Sequence, residues 1–384
     1  MSEKETAAEK KPKKKRRGAA LFAALLLIAL LALAFVFRDK LTAEGLRGMF
    51  AADESAAAES EAFTYEIGSG QVFAPAGSGL AVASSSAVQL LDAAGQTVFK
   101  QVVSYDTPAV FASGSGALFC DLGRTGCVLA GMDGESRTLS PAGALITASM
   151  NENGWFTLTT EAAGYRGLVT VYDADGEARY QWWSGSGYIL KAAVSPDGRL
   201  LAVLCAETDG GRLHLFRMDS ETELAAAEFP DELPFDLCFM GSDALCAVSE
   251  DALSFLSADG TVKNRFALGD YRLLDYELGS QSFAAIYVGA YRAGGGGLIE
   301  TLDRDGRLLG YAETERDVTG LSACGKQLLA MTSGGLTVYD QDLSVSCRRE
   351  ALMTAKKAIL RPGGDILLLS SYAAEKLSVK EMEG

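Results

Sequence analysis

From Phe63 onward, apolar segments of four to seven residues alternate with short turns rich in Gly, Asp, Asn and Ser. That is the pattern of an all-β chain. The clearest unit is AVSPDGRLLAV, Ala193 to Val203, in which a turn at Pro196 to Gly198 separates two short strands. Pro presets φ for the turn, and Gly accepts the positive φ that closes it. Similar first turns are predicted at Gly77, Ser115, Gly154, Gly198, Ser242, Ser280, Gly325 and Gly364, spaced 38 to 45 residues apart. A four-stranded propeller blade repeats at about this period. A second turn follows each of the first seven, in LLDAAGQ at Leu90, AGMDGES at Ala130, VYDADGE at Val171, FRMDSET at Phe216, FLSADGT at Phe255, TLDRDGR at Thr301 and VYDQDLS at Val338. These read as hairpins between a blade's third and fourth strands. Eight first turns and seven second turns leave the last blade short of a fourth strand, which Phe63 to Ile67 can supply. The expected fold is an eight-bladed β-propeller over residues 63–384, with seven blades as the alternative.

In a propeller, the first-to-second and third-to-fourth turns share one face. The second-to-third loops and the links between blades share the other. The first face of this chain carries short turns. Long connections are expected on the second face at Glu161 (EAAGYRG), Glu207 (ETDGGR) and Ala290 (AYRAGGGG). Loops held by a rigid scaffold are common binding elements. Tyr-Arg occurs there three times, at Tyr165-Arg166, Tyr271-Arg272 and Tyr291-Arg292, and Trp183, Tyr188 and Tyr372 are predicted on the same rim. Aromatic rings with Arg suit a glycan, a peptide or an acidic group. The bland reading is that Tyr marks strand ends and Arg is solvated.

Ahead of the blades the pattern changes. Residues 1–17 form a basic tail ending in KKPKKKRR, and residues 18–38 hold an unbroken apolar run from Ala19 to Phe37. The run is long enough to span a bilayer. Its basic flank assigns the N-terminus to the cytoplasm and the remainder to the outside. Ala32-Leu33-Ala34 has the small-x-small form of a cleavage site, but the apolar run continues past it, so a transmembrane anchor is expected. Residues 39–62 read as a juxtamembrane segment and an acidic tether.

Of the 35 Lys and Arg, eight lie in residues 1–17 with three Glu, leaving 27 basic against 47 acidic residues beyond. Such a body repels nucleic acid, whose binding depends on neutralising phosphates. Seven Cys at 120, 127, 205, 238, 246, 324 and 347 form no CxxC. Cys120 faces Cys127, and Cys238 faces Cys246, if the intervening turns fall where predicted. Each pair reads as a cross-strand disulfide or as two buried thiols.

Catalytic signatures are sparse. The sole His, His214, sits in a strand and reads as structural. Histidine metal sites and Ser-His-Asp triads lack their patterns. GLSACGK at Gly320 lacks the Ser/Thr of a phosphate loop and precedes a strand rather than a helix. DADG at Asp173 and DRDG at Asp303 place Gly too early for a calcium loop. No metal or cofactor is expected.

SPDGRLLAV and the LDxxG turns resemble WD-repeat, TolB-like and quinoprotein-type propellers. The quinone chemistry is not implied, because the blade-docking tryptophans are missing: Trp155, Trp182 and Trp183 are the only Trp residues. The whole layout is similar to a family of single-pass, propeller-like proteins of clostridia-type bacteria. The shared features are the basic anchor, FRDKL at Phe37, LRGMF at Leu46, FTYEIGSGQVFA at Phe63 and the blade turns. That family is known only as a domain of unknown function, so the resemblance implies topology and no activity. The function expected is a non-catalytic, membrane-anchored extracytoplasmic scaffold or sensor for a protein or envelope component. The alternative is an enzyme on envelope glycans or peptides, using paired carboxylates such as Asp231-Glu232 or Asp275-Glu277.

Overall fold

The computed structural model describes residues 62–289, 296–351 and 354–382. The basic tail, the apolar run and Tyr291-Arg292 lie outside the described residues. The propeller's compact unit begins at Ser60. It contains eight four-stranded antiparallel sheets. Seven are built from consecutive strands, beginning with Val72–Ala76, Gly79–Ala83, Ala87–Leu91 and Thr97–Val102 as blade 1. The eighth takes Lys357–Leu360, Asp365–Leu369 and Ala373–Ser378 from the end of the chain and Ala62–Thr64 from its beginning. Phe63 pairs with Ala374, so the two ends of the chain close one sheet as the turn count predicted. The added strand covers the outer edge of Ala373–Ser378, as the fourth strand does in the other blades.

All fifteen predicted turns lie between strands as expected. The turn at Ser195 to Arg199 shows why. The Ser195 hydroxyl donates to Asp197 at 2.6 Å and accepts the Leu200 N–H at 2.9 Å. Gly198 has φ +69°, and a Cβ there would lie 2.7 Å from the Trp155 ring. The third-to-fourth turns share a second device: the Oδ1 of Asp92, Asp173 and Asp303 each accepts two backbone N–H groups, two and four residues on.

Middle strands such as Gly79–Ala83, Phe156–Thr160 and Ala244–Val248 are buried throughout. Neighbouring blades cover both of their faces, so they read as continuous apolar runs. Outermost strands alternate instead, as in Glu223–Pro230 and Val262–Ala267. The core divides into eight clusters, one for each blade-to-blade interface. The closing cluster joins Phe73, Leu80 and Leu91 of blade 1 to Ile359, Leu367 and Leu369 of blade 8.

One expectation changes. ETDGGR is not a long loop: Leu200–Glu207 and Gly210–Arg217 extend until only Thr208 and Asp209 remain between them. Eight-residue strands therefore replace the loop in blade 4; among the described residues the widest second-to-third connection is EAAGYRG, and most of AYRAGGGG lies outside them. GLSACGK is the blade turn expected: the end of Val318–Cys324 and the Gly325-Lys326 turn of blade 7.

Candidate functional site

The first face is held together by side chains that reach the turn carbonyls of the next blade. Arg137 donates to Asp175 O and Gly176 O, Asn151 to Ser195 O, Asn264 to Gly306 O, and Thr301 to Gln341 O, all between 2.6 and 3.1 Å. At the seam, Arg361 is 2% exposed. Its guanidinium donates to Ser78 O and Ala93 O of blade 1 and pairs with Asp365 at 3.4 Å. At the second-face end of the same seam, Tyr65 donates to Ser370 O at 2.7 Å. No sequence signal marked Arg361, because its partners in blade 1 lie more than 260 positions away.

The second face differs in its chemistry. Among the described residues, sixteen large apolar side chains are exposed. Eleven lie on this face: Tyr165 and Tyr372 in second-to-third turns, Trp183 and Val102 at the ends of outermost strands, and Ile67, Ile146, Tyr188, Leu233, Phe235, Tyr271 and Leu274 in or beside blade links. The other five sit on the outermost strands, Leu224, Val262, Leu308 and Val345 at their first-face ends and Tyr311 midway. None lies in a first-face turn.

Four of the predicted rim residues come together at blades 3 and 4. Arg166 donates to the Tyr188 hydroxyl at 2.7 Å, with its guanidinium carbon 4.9 Å from that ring's centre. Tyr165 leans on Trp183, ring centres 6.4 Å apart. Tyr165 and Tyr188 are more than half exposed, and Trp183 nearly half, so the cluster presents its rings to solvent. Tyr271-Arg272 opens blade 6, and Tyr372 caps a turn of blade 8, so these stand apart from the cluster around the ring. Phe235 lies beside Tyr276 at 5.9 Å and extends the aromatic surface to blades 5 and 6. Sequence reading missed Phe235 because the link around it reads as an ordinary acidic loop. Its exposure is visible only in the fold.

Around the axis, the inner strands present an arc of charge. Lys191 of blade 4 pairs with Asp236 of blade 5 at 3.1 Å, and the Tyr276 hydroxyl of blade 6 donates to Asp236 at 2.9 Å. Asp275 and Glu277 occupy alternate positions on the next inner strand, Arg272–Glu277. Burial lifts both carboxyls above their ordinary range, while backbone N–H groups and the Lys357 charge act against it. Glu277 accepts the Gly279 N–H at 2.5 Å, and Asp275 accepts that of Tyr276 at 2.9 Å. An opening of about 280 Å³ reaches this arc from the first face, lined by Phe111, Ser149, Lys191, Asp236, Cys238 and Gly279 among others. The other proposed carboxylate pair is engaged elsewhere: Glu232 holds Arg265 and the Ser249 hydroxyl, and Asp231 takes a left-handed φ of 56° in the blade 4–5 link.

His214 is enclosed by Glu223 at 2.6 Å and the Trp182 ring at 5.2 Å. Among the described residues, no three His, Cys, Asp or Glu side chains gather as metal ligands.

Solved structures match the architecture. BamB from Moraxella catarrhalis aligns over 82% of this chain and 95% of its own, with 14% identity and a TM-score of 0.51. The C-terminal WD40 domain of Sif2 aligns over 78% and 92%, with 11% identity and a TM-score of 0.55. Sqt1 from Chaetomium thermophilum, solved bound to the N-terminus of ribosomal protein L10, aligns over 78% and 93%, with 11% identity and a TM-score of 0.54. At such identities the likeness concerns the fold. No curated protein matches. The family of unknown function DUF5711 matches residues 57–365, and the chain belongs to that family.

Proposed function

We propose that this protein is a membrane-tethered scaffold outside the cytoplasm that docks another protein or an envelope component on its second face. The carrying observation is the unequal spread of exposed large apolar side chains among the described residues: eleven on the second face, aromatic rings among them, against four aliphatic ones at strand ends on the first. Large apolar groups concentrated on one surface are the usual mark of an interaction site. Tyr, Trp and Arg, which dominate binding hot spots, meet at Tyr165, Arg166, Trp183 and Tyr188. The Sqt1 propeller was solved holding a protein N-terminus, so a ring of this architecture can seat a peptide. The tether rests on the basic flank and apolar run of residues 1–38. Asp275 and Glu277 read as structural acceptors because backbone N–H groups already occupy them.

The test is crosslinking in cells with the full chain, compared with a Tyr165→Ala/Trp183→Ala/Tyr188→Ala variant. Partners captured by the first and lost by the second support the scaffold. Equal capture by both removes this face from the proposal. Turnover of an envelope glycan or peptide, abolished by Asp275→Asn, would replace the scaffold with an enzyme.

A further inference from the structure

Two cysteine pairs face each other across neighbouring strands: Cys120 with Cys127 in blade 2, and Cys238 with Cys246 in blade 5. They occupy different ladder positions. Opposite residues in an antiparallel ladder alternate between a wide, hydrogen-bonded class and a close, non-bonded class, with Cα atoms about 5.5 and about 4.5 Å apart. The Asp121 N–H donates to Gly126 O at 2.9 Å. That makes Asp121–Gly126 a bonded pair and the adjacent Cys120–Cys127 a non-bonded one. In blade 5, the Met240 N–H donates to Ala244 O at 2.9 Å. Two steps along that ladder, Cys238–Cys246 is again of the bonded class. A disulfide draws two Cβ atoms to about 3.8 Å, which the close class reaches with less backbone movement. The Cys120 and Cys127 sulfurs are 3.4 Å apart, in contact and unbonded.

The surroundings set when the bond can form. Both sulfurs are buried in the interface between blades 2 and 3, among Leu139, Leu145, Phe156 and Leu158. The hydrogen bond with the Cys127 sulfur, and then burial, push the Cys120 thiol up, so the folded protein offers little thiolate for exchange. An oxidant reaches the pair only before blade 3 covers it.

We propose that Cys120 and Cys127 close as a disulfide when the chain folds in the presence of a disulfide oxidant, and that Cys238 and Cys246 stay thiols. With oxidised glutathione, one cysteine thiolate attacks the glutathione disulfide and releases one glutathione thiol. The second cysteine then attacks the mixed disulfide and releases the other. Two protons and two electrons pass from the cysteines to the two glutathione thiols formed. The bond clamps the Leu122–Gly126 turn. That turn is joined to blade 3 by Gly123 N–H to Leu145 O and Leu145 N–H to Arg124 O, both 2.7 Å. The proposal is independent of what docks on the second face.

Trypsin distinguishes the states, because it cuts after Arg124, between the two sulfurs. Each resulting peptide, 101–124 and 125–137, holds one cysteine. The full chain would be made by cell-free synthesis in detergent, with either oxidised glutathione or dithiothreitol, then alkylated in denaturant and digested. The expected product with oxidised glutathione is the 101–124/125–137 pair joined by a bond, with Cys238 and Cys246 alkylated. With dithiothreitol, or in Cys127→Ser, the two peptides separate. Full alkylation of Cys120 and Cys127 in the oxidised sample overturns the proposal, as does a bond at Cys238–Cys246. A soluble, protease-resistant dithiothreitol sample confirms that the chain folds under these conditions. If neither sample folds, unfolded chain oxidised in denaturant supplies the random-pairing control, and a 101–124/125–137 yield no greater than that control also overturns it.

Discussion

The two faces of the propeller solve different problems with the same strands. On the first face, turns are short, aspartates cap their own backbone, and side chains from one blade satisfy carbonyls of the next. Few groups are left over to recognise anything else. On the second face, links and wide turns leave Tyr, Trp, Phe and Leu side chains in water. The difference teaches that bonds between blades cross both faces, but only the second combines them with large aromatic side chains left in water for contact. It can be broken or sharpened by substitutions of graded effect.

The largest effect is expected at the seam. Arg361→Ala leaves the carbonyls of Ser78 and Ala93 without their charged donor. Leaving such groups unpaired costs about 2–4 kcal/mol, read as a lower midpoint in denaturant unfolding. If Arg361→Ala unfolds at the native midpoint, the first face does not fasten the ring. Next is the second face, where Tyr165→Ala/Trp183→Ala/Tyr188→Ala should lower partner affinity by about tenfold or more. Its unfolding midpoint should stay close to that of the native chain, since these rings are exposed. A large fall in stability would show the cluster to be part of the core instead. Third, Asp303→Ala removes an acceptor for two N–H groups in a single turn. A loss of about 1 kcal/mol is expected, with partner binding unchanged.

The smallest effect is at the axis. Burial raises the Glu277 carboxyl above its ordinary range. Such a group binds its proton more tightly folded than unfolded. It therefore favours the fold at low pH, and that contribution is lost as pH rises through the ordinary value to the raised one. Glu277→Gln keeps an acceptor for Gly279 and removes the charge. It is expected to stabilise the protein above this window and to change little below it, measured by thermal unfolding across pH. Destabilisation at neutral pH would mean that the Lys357 charge outweighs the cost of burial.

The fold was legible because its grammar is local. Each turn needs Gly, Asp or Ser within a few residues, so position and period survive in the sequence, and even the closing strand followed from a missing turn. The aromatic cluster at blades 3 and 4 was partly legible, since Tyr165-Arg166 and Trp183 stand at predicted strand ends. What joins blades was not legible. The Arg361 bonds and the Lys191–Asp236–Tyr276 arc depend on residues about one or more blade periods apart, with no pattern to connect them. Blade 4 was misjudged for a related reason: ETDGGR has a loop's composition, yet Glu207 pairs with Gly210 across a two-residue turn. Glycines that suit a loop also allow strands to run to their limit.

The closing sheet also sets an order of events. Phe63 is among the first residues of the propeller to be made, yet its partner Ala374 is among the last. The Tyr65 bond to Ser370 spans 305 positions. Contacts of such separation are slow to form, since a long chain must be ordered before they return anything. Until synthesis passes Ser378, the segment Ala62–Thr64 has no sheet to join, and blades 1 to 7 form an open arc with an exposed apolar flank at each end. A growing chain is therefore vulnerable to aggregation for nearly its whole translation, and the ring acquires its full stability in one late step. A nonsense truncation within blade 8 should behave as a failure of the entire propeller.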